Sequence, residues 1–117
     1  MDKNCIHIKN DYEFRRVYRR GKSFVSPTLV TYCEKRRGSR IRVGITTGKK
    51  IGNAVHRNRA RRVIREAYRQ LAPMASGGWD IVFVARGKTP FVKMQAVKDE
   101  MLVHLTNAGV IASLRSQ

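Results

Sequence analysis

An α+β fold, a single-domain sandwich of element order αββαβα around a mixed sheet, is what this 117-residue sequence predicts. Three observations carry that expectation. The length suits one domain with one core, residues 1–117. Two β-type runs, 28–33 and 41–46, precede a long amphipathic helical repeat, and a near-continuous apolar run from Trp79 to Ala85 follows it. Strand, helix and apolar strand in succession form a βαβ unit, so the last strand should lie parallel to a neighbour inside the sheet, covered by helices on at least one face.

Each element has its own signal. Asn10-Asp11 before Tyr12, Phe14, Val17 and Tyr18 marks the start of a first helix, which Gly21 can end. From Thr28 to Cys33 β-branched and aromatic residues are dense, and Ile41, Val43 and Ile45 alternate with polar residues after the turn-like Arg36-Arg37-Gly38-Ser39, so the two runs read as a β-hairpin. Asn53 can cap a second helix whose Ala60, Val63, Ile64, Ala67 and Leu71 follow i, i+3, i+4, i+7, i+11. Gly77-Gly78 break that helix. Trp79, heading the apolar strand, reads as core, and Pro90 opens a last helix carrying Val92, Met94, Val97, Met101, Leu102 and Leu105.

Composition narrows the function. With 25 Lys+Arg against 8 Asp+Glu the formal net charge is +17. Residues 1–69 hold 20 basic and 5 acidic side chains, whereas 70–117 hold 5 and 3, so binding belongs to the first two-thirds. Such a surplus repels itself until a polyanion neutralises it, and nucleic acid leads the possible partners. The 42% apolar content argues for a real core rather than a disordered basic tail. No apolar run approaches the ~20 residues of a membrane span. No signal-like stretch follows Met1-Asp2-Lys3-Asn4, and Cys5 and Cys33 could form at most one bridge, so a cytoplasmic protein with free thiols is expected.

The strongest constellation is the second helix. On a helical wheel Arg61, Arg65, Asn58, Arg69 and Arg62 fill an arc of roughly 100° opposite the apolar stripe, with Arg57 at its edge. Between Lys49 and Arg69 there are 8 basic residues and 1 acidic one, whereas a merely solvated face intersperses both signs. Arg57, Arg61, Arg65 and Arg69 repeat at i, i+4, each like-charge pair costing ~0.2–0.5 kcal/mol, only partly offset by Glu66 pairing with Arg62 and Arg69. Lys49, Lys50 and Arg57 near the positive end of the helix dipole add a second penalty that an anion would reverse. Arginine also grips phosphate with a planar fork and stacks on bases. Phe14, Tyr18 and Tyr32 sit inside this basic region as stacking platforms or as ordinary core, and sequence alone leaves both open.

Other chemistries fit poorly. Gly44, Gly48-Lys49 and Lys50 miss the spacing and the Ser/Thr of a P-loop. The segment Arg20–Pro27 matches part of the RRM signature but lacks its aromatic third and last positions and its Gly/Ala fourth. Cys5, His7, Cys33, His56 and His104 form no zinc-type pattern. The alternatives kept are a protein nuclease using His56 or His104 as acid/base, and a ribosomal protein.

The segments Arg42-Val43-Gly44, Lys49-Lys50-Ile51-Gly52-Asn53-Ala54-Val55 and Arg57-Asn58-Arg59-Ala60-Arg61-Arg62-Val63-Ile64-Arg65-Glu66 together resemble the signature of the bacterial ribonuclease P protein subunit. Tyr12–Gly21 and Trp79–Ala85 are similar to that family's first helix and apolar strand, so the likeness spans nearly the whole chain. The resemblance implies a small basic protein that joins a large catalytic RNA and helps it remove the 5′ leader of precursor tRNA. Hydrolysis would belong to the RNA and its Mg2+, with no organic cofactor and no obligatory protein partner. It also implies a left-handed βαβ crossover, against the usual right-handed rule. Carried over by position, Phe14, Tyr18, Tyr32, Lys49, Lys50, Ala54, Arg57, Asn58 and Arg61 would line a cleft for the single-stranded leader. Arg59, Arg62, Arg65 and Arg69 would meet the catalytic RNA or phosphates near the cleavage site, and Asn58 would be an oxygen ligand for a metal ion. The sequence departs from the family pattern at Gly48, where a small Ser is common, at Tyr18 and at His56.

Overall fold

A computed structural model describes residues 6–112, so Cys5 lies outside the described residues. The elements are β1 (Ile6–His7), α1 (Asp11–Arg20), β2 (Lys22–Ser26), β3 (Leu29–Lys35), β4 (Ile41–Thr46), α2 (Ala54–Leu71), β5 (Trp79–Ala85) and α3 (Met94–Ala108). They build one mixed sheet of order β1-β4-β5-β3-β2. β5 runs parallel to β4 and antiparallel to β3. The α+β class and the internal parallel strand are as expected.

The expected β3–β4 hairpin does not form. β5 lies between those strands, pairing Tyr32 with Val82 on one side and Gly44 with Val82 on the other. The most apolar strand takes the centre because only there are both of its faces covered, a demand the four turn-like residues after β3 could not reveal. The actual hairpin joins β3 to β2, a strand absent from the expected order, through Pro27-Thr28. Its signal was slight: in β2 Val25 stays exposed while Phe24 packs toward the helices, stacked 5.9 Å from His104. β1 is two residues long and pairs with β4.

Alternation along β5 divides the core. Ile81 and Phe83 point to the face covered by α2 and α3, where Ile64, Tyr68, Leu71, Val97, Met101 and Leu105 are buried with them. Val82 points to the opposite face and packs with Ile8 and Val17 of α1, with Phe14, Tyr32 and Val84 half-buried around them. The molecule is therefore three layers, α1 on one side of the sheet and two helices on the other.

Local chemistry sets the helix ends. Asn53 caps α2 as expected, its Oδ1 accepting from His56 N–H at 3.0 Å. α2 ends at Leu71 and passes into a 3-10 turn, Ala72–Met74, that contains Pro73, so the break precedes the glycine pair. Pro90 does not open α3. It is buried in a 3-10 turn over Thr89–Phe91, and the helix begins at Met94, leaving Val92 outside it. Trp79 is buried as expected and donates its Nε1–H to Ser76 O at 3.0 Å.

Candidate nucleic-acid interface

The aromatic trio assembles on the α1 face of the sheet. Phe14 and Tyr18, one helical turn apart, have centroids 6.4 Å from each other, and Tyr18 meets Tyr32 of β3 edge-on at 4.9 Å. Phe14 and Tyr32 are half-buried and Tyr18 is 38% exposed, so each ring is both packed and partly open to solvent. The rings therefore pack as core residues do, and each keeps a face that a base could reach.

Gly44 makes this possible. A Cβ there would lie 2.6 and 2.8 Å from two ring carbons of Phe14 and 3.2 Å from Ile8 Cβ, closer than packed carbons come, so glycine lets the ring rest on the sheet backbone. Ile8 and Gly44 also line a groove of about 180 Å³ with Arg61 and Arg65 of α2. The aromatic platform and the arginine row thus share a wall.

The arginine row is held in place by neutral acceptors. Arg57 donates to Gly52 O at 2.6 Å, and Arg61 donates to Thr47 Oγ1 at 2.8 Å, just past the end of β4. Among the described residues no carboxylate pairs with Lys49, Lys50, Arg57, Arg59, Arg61, Arg62 or Arg65. Lys49, Lys50, Ala54 and Asn58 are exposed around the start of α2. Neutral tethers fix direction without cancelling charge, which is what an anion-binding surface requires.

Two expected members, Arg59 and Arg69, stand apart. Arg59 turns to the other flank of α2, where its Nε donates to Pro90 O. Arg69 is bound to Glu66, whose pKa is lowered to about 2 by hydrogen bonds from Arg69 and then Gln70. Glu66 does not pair with Arg62, which remains exposed. Arg65 falls with Arg61 in the groove rather than with Arg59. Asn58 is exposed, its Oδ1 accepting from Arg61 Nη1 at 3.4 Å.

The sequence reading missed the network that carries α1. Asp80, in the middle of the sheet, accepts two 3.0 Å bonds from Arg42 and a further one from Arg16. Arg42 also pairs with Glu13 at 2.7 Å, and Arg16 with Glu34 at 3.1 Å. Burial would raise the Asp80 carboxyl, but the Arg42 hydrogen bonds and the charges of Arg42 and Arg16 more than offset it and leave it below its ordinary value. A signal existed: a carboxylate inside an apolar strand must find a cation.

His104 and His56, the two acid/base candidates, are engaged in packing. Both ring nitrogens of buried His104 are occupied at 2.7 Å, by Ser26 Oγ and Thr31 Oγ1, and the His56 ring leans edge-on against Phe91 at 5.0 Å. Neither has a carboxylate bonded to it as a general acid/base pair would. Cys33 is buried and free, its thiol pushed up to about 12 by burial.

Comparison with known proteins places the chain in a family: the family model described as Ribonuclease P matches residues 3–109. The chain belongs to the ribonuclease P protein family. It is 49% identical over 80 residues to the ribonuclease P protein component of Clostridioides difficile (strain 630), covering 68% of this chain and 70% of that one. With the component of Thermoanaerobacter sp. (strain X514) it shares 40% over 101 residues, 86% and 87% of the two chains. The RNase P protein of Staphylococcus aureus superposes with a TM-score of 0.78 at 29% identity, covering 90% and 96%, and that of Thermotoga maritima with 0.76 at 27%, covering 86% and 96%. Among the described residues no helix of this ribonuclease P protein is long and apolar enough to cross a membrane.

Proposed function

We propose that this chain is the subunit of ribonuclease P that binds the catalytic RNA and the 5′ leader of precursor tRNA, assisting removal of the leader in the cytoplasm. One observation carries the reading: Arg61 and Arg65, which have no carboxylate partner among the described residues, share Ile8 and Gly44 with an open aromatic platform. A single strand needs both surfaces, cations for its phosphates and rings for its bases. Neither surface reads base edges, so binding should tolerate many leader sequences.

The division of labour follows from the side chains. Arg57, Arg61 and Arg65, with Lys49 and Lys50, hold phosphates at the start of α2, and Phe14, Tyr18 and Tyr32 orient the bases. In this reading phosphodiester hydrolysis belongs to the catalytic RNA, as the likeness to ribonuclease P proteins suggests. Mg2+ bound to that RNA and its phosphates would polarise the phosphoryl oxygen and activate water. The protein raises local occupancy and alignment of the substrate.

The test is cleavage of precursor tRNA by the purified protein, the RNA subunit and the two together across a range of Mg2+. The expected result is no cleavage by protein alone and marked stimulation of the RNA at low Mg2+. Cleavage by protein alone would restore the nuclease reading, and no stimulation at any Mg2+ concentration would favour a ribosomal role.

A further inference from the structure

A second basic surface lies at the other end of β4. There a hollow of about 320 Å³ is lined by Tyr12, Arg16, Arg36, Arg37, Arg40 and Arg42, with the buried Glu13 and Asp80. The inner arginines, Arg16 and Arg42, are consumed by Glu13, Glu34 and Asp80. The outer three are exposed. Arg36 reaches Glu34 only at 3.5 Å, and among the described residues no ion pair or side-chain hydrogen bond occupies Arg37 or Arg40.

The loop that carries them is braced. Because β5 separates β3 from β4, the connection crosses the start of β5, where Arg36 N–H donates to Gly78 O at 2.9 Å and Trp79 N–H to Arg40 O at 3.1 Å. A Cβ on Gly78 would lie 2.6 to 2.9 Å from the carbonyl oxygens of Gly38, Arg36 and Arg37, so the glycine lets the loop sit directly on the strand. A braced backbone spares the loop its own ordering cost on binding, leaving that of the side chains.

We propose that this loop, with Tyr12 at its rim, is a second RNA-docking surface that grips the phosphate backbone of the catalytic RNA and not the leader; it rests on the function proposed above. The five intervals of β4 place it about 17 Å from the Arg61 end of that strand, so one local contact cannot occupy both. The hollow offers a single exposed ring, 61% accessible Tyr12, where a single strand would need several. Arginines anchored on a fixed backbone suit phosphates already held at fixed spacing, as in folded RNA. An anionic membrane fits poorly, because no exposed aliphatic side chain lines the hollow to insert beside the charges.

The test compares wild type with the double variant Arg37→Ala/Arg40→Ala, and with Lys88→Ala/Lys93→Ala as a control that removes equal charge from exposed positions elsewhere. Affinity for the RNA subunit is measured at several salt concentrations, and affinity of the reconstituted holoenzyme for precursor tRNA is measured with and without the leader. The loop variant should bind the RNA subunit about tenfold more weakly, with a log–log salt slope shallower by about 1.8. The control should change neither quantity beyond about twofold, and the affinity ratio between substrates with and without leader should stay at the wild-type value. An unchanged affinity and slope for the RNA subunit, a loss matched by the control, or a loss confined to precursor tRNA would each overturn the proposal. Failure of the wild-type protein to bind the RNA subunit at all would instead overturn the function on which it rests.

Discussion

Gly44→Ala tests the link between packing and RNA binding, because it adds one methyl group and no charge. The new carbon would sit 2.6 and 2.8 Å from the Phe14 ring, whereas packed carbons come to about 3.5–4.0 Å, so the ring must retreat by about 1 Å. Overpacking of this kind costs about 1–3 kcal/mol. With an unfolding entropy of about 2.1 cal/mol/K per residue over the chain, that loss lowers Tm by roughly 4–12 °C. Leader affinity should fall about fivefold, a fraction of the ~1–3 kcal/mol that one base–ring stack supplies, while the salt slope of binding stays at the wild-type value. Thermal denaturation and leader binding should also be measured in a Phe14→Ala background. Without the ring only Ile8 Cβ at 3.2 Å remains close, a contact relieved by a shift of a few tenths of an ångström, so the alanine at 44 should then cost less than about 1 kcal/mol. Equal destabilisation in both backgrounds would refute the role assigned to Gly44.

Other outcomes follow from the same geometry. Arg61→Ala should weaken leader binding for every leader sequence and make the salt slope shallower by about 0.7, whereas Tyr32→Ala should lose affinity at an unchanged slope; titrations from low to high salt separate the two. Asp80→Asn removes the shared partner of Arg16 and Arg42, and because those side chains keep 20% and 23% exposure and their links to Glu34 and Glu13, the loss should be about 2–3 kcal/mol in urea denaturation, short of a fully buried pair. Acid should destabilise in two stages. Burial holds His104 below its ordinary 6.5, so its contribution is complete above that value and declines as the pH falls through the lower folded pKa, the unfolded chain taking up the proton first. Glu13, held down by the Arg42 hydrogen bond, and Asp80 lie below 4.5 and 3.8, and their contribution vanishes as pH falls further. Stability measured from pH 8 to 3 should lose the upper stage in His104→Gln and keep the lower one. Cys33 should resist iodoacetamide in the folded protein at pH 8 and react on unfolding, as read by mass spectrometry.

The α2 helix and its charge were legible in the chain itself. A cap at Asn53, an apolar stripe ending at Leu71 and arginines opposite it are local and periodic, and the helix obeys them. The βαβ unit was legible for the same reason, since an apolar run after a helix has few places to go. Tertiary structure alone decided the strand order, because pairing depends on which strand gains most from burial on both faces, and adjacency in sequence says nothing of that. It also decided which arginines are free. Sequence counts Arg16, Arg42 and Arg61 alike, but folding brings Asp80 and Glu13 to Arg42 and Asp80 and Glu34 to Arg16, whereas Arg61 meets, among the described residues, a hydroxyl and an amide oxygen; the Glu66–Arg69 pair, three residues apart on one helix, was legible locally. Charge is a property of composition, whereas available charge depends on which opposite charges the fold brings within a few ångströms.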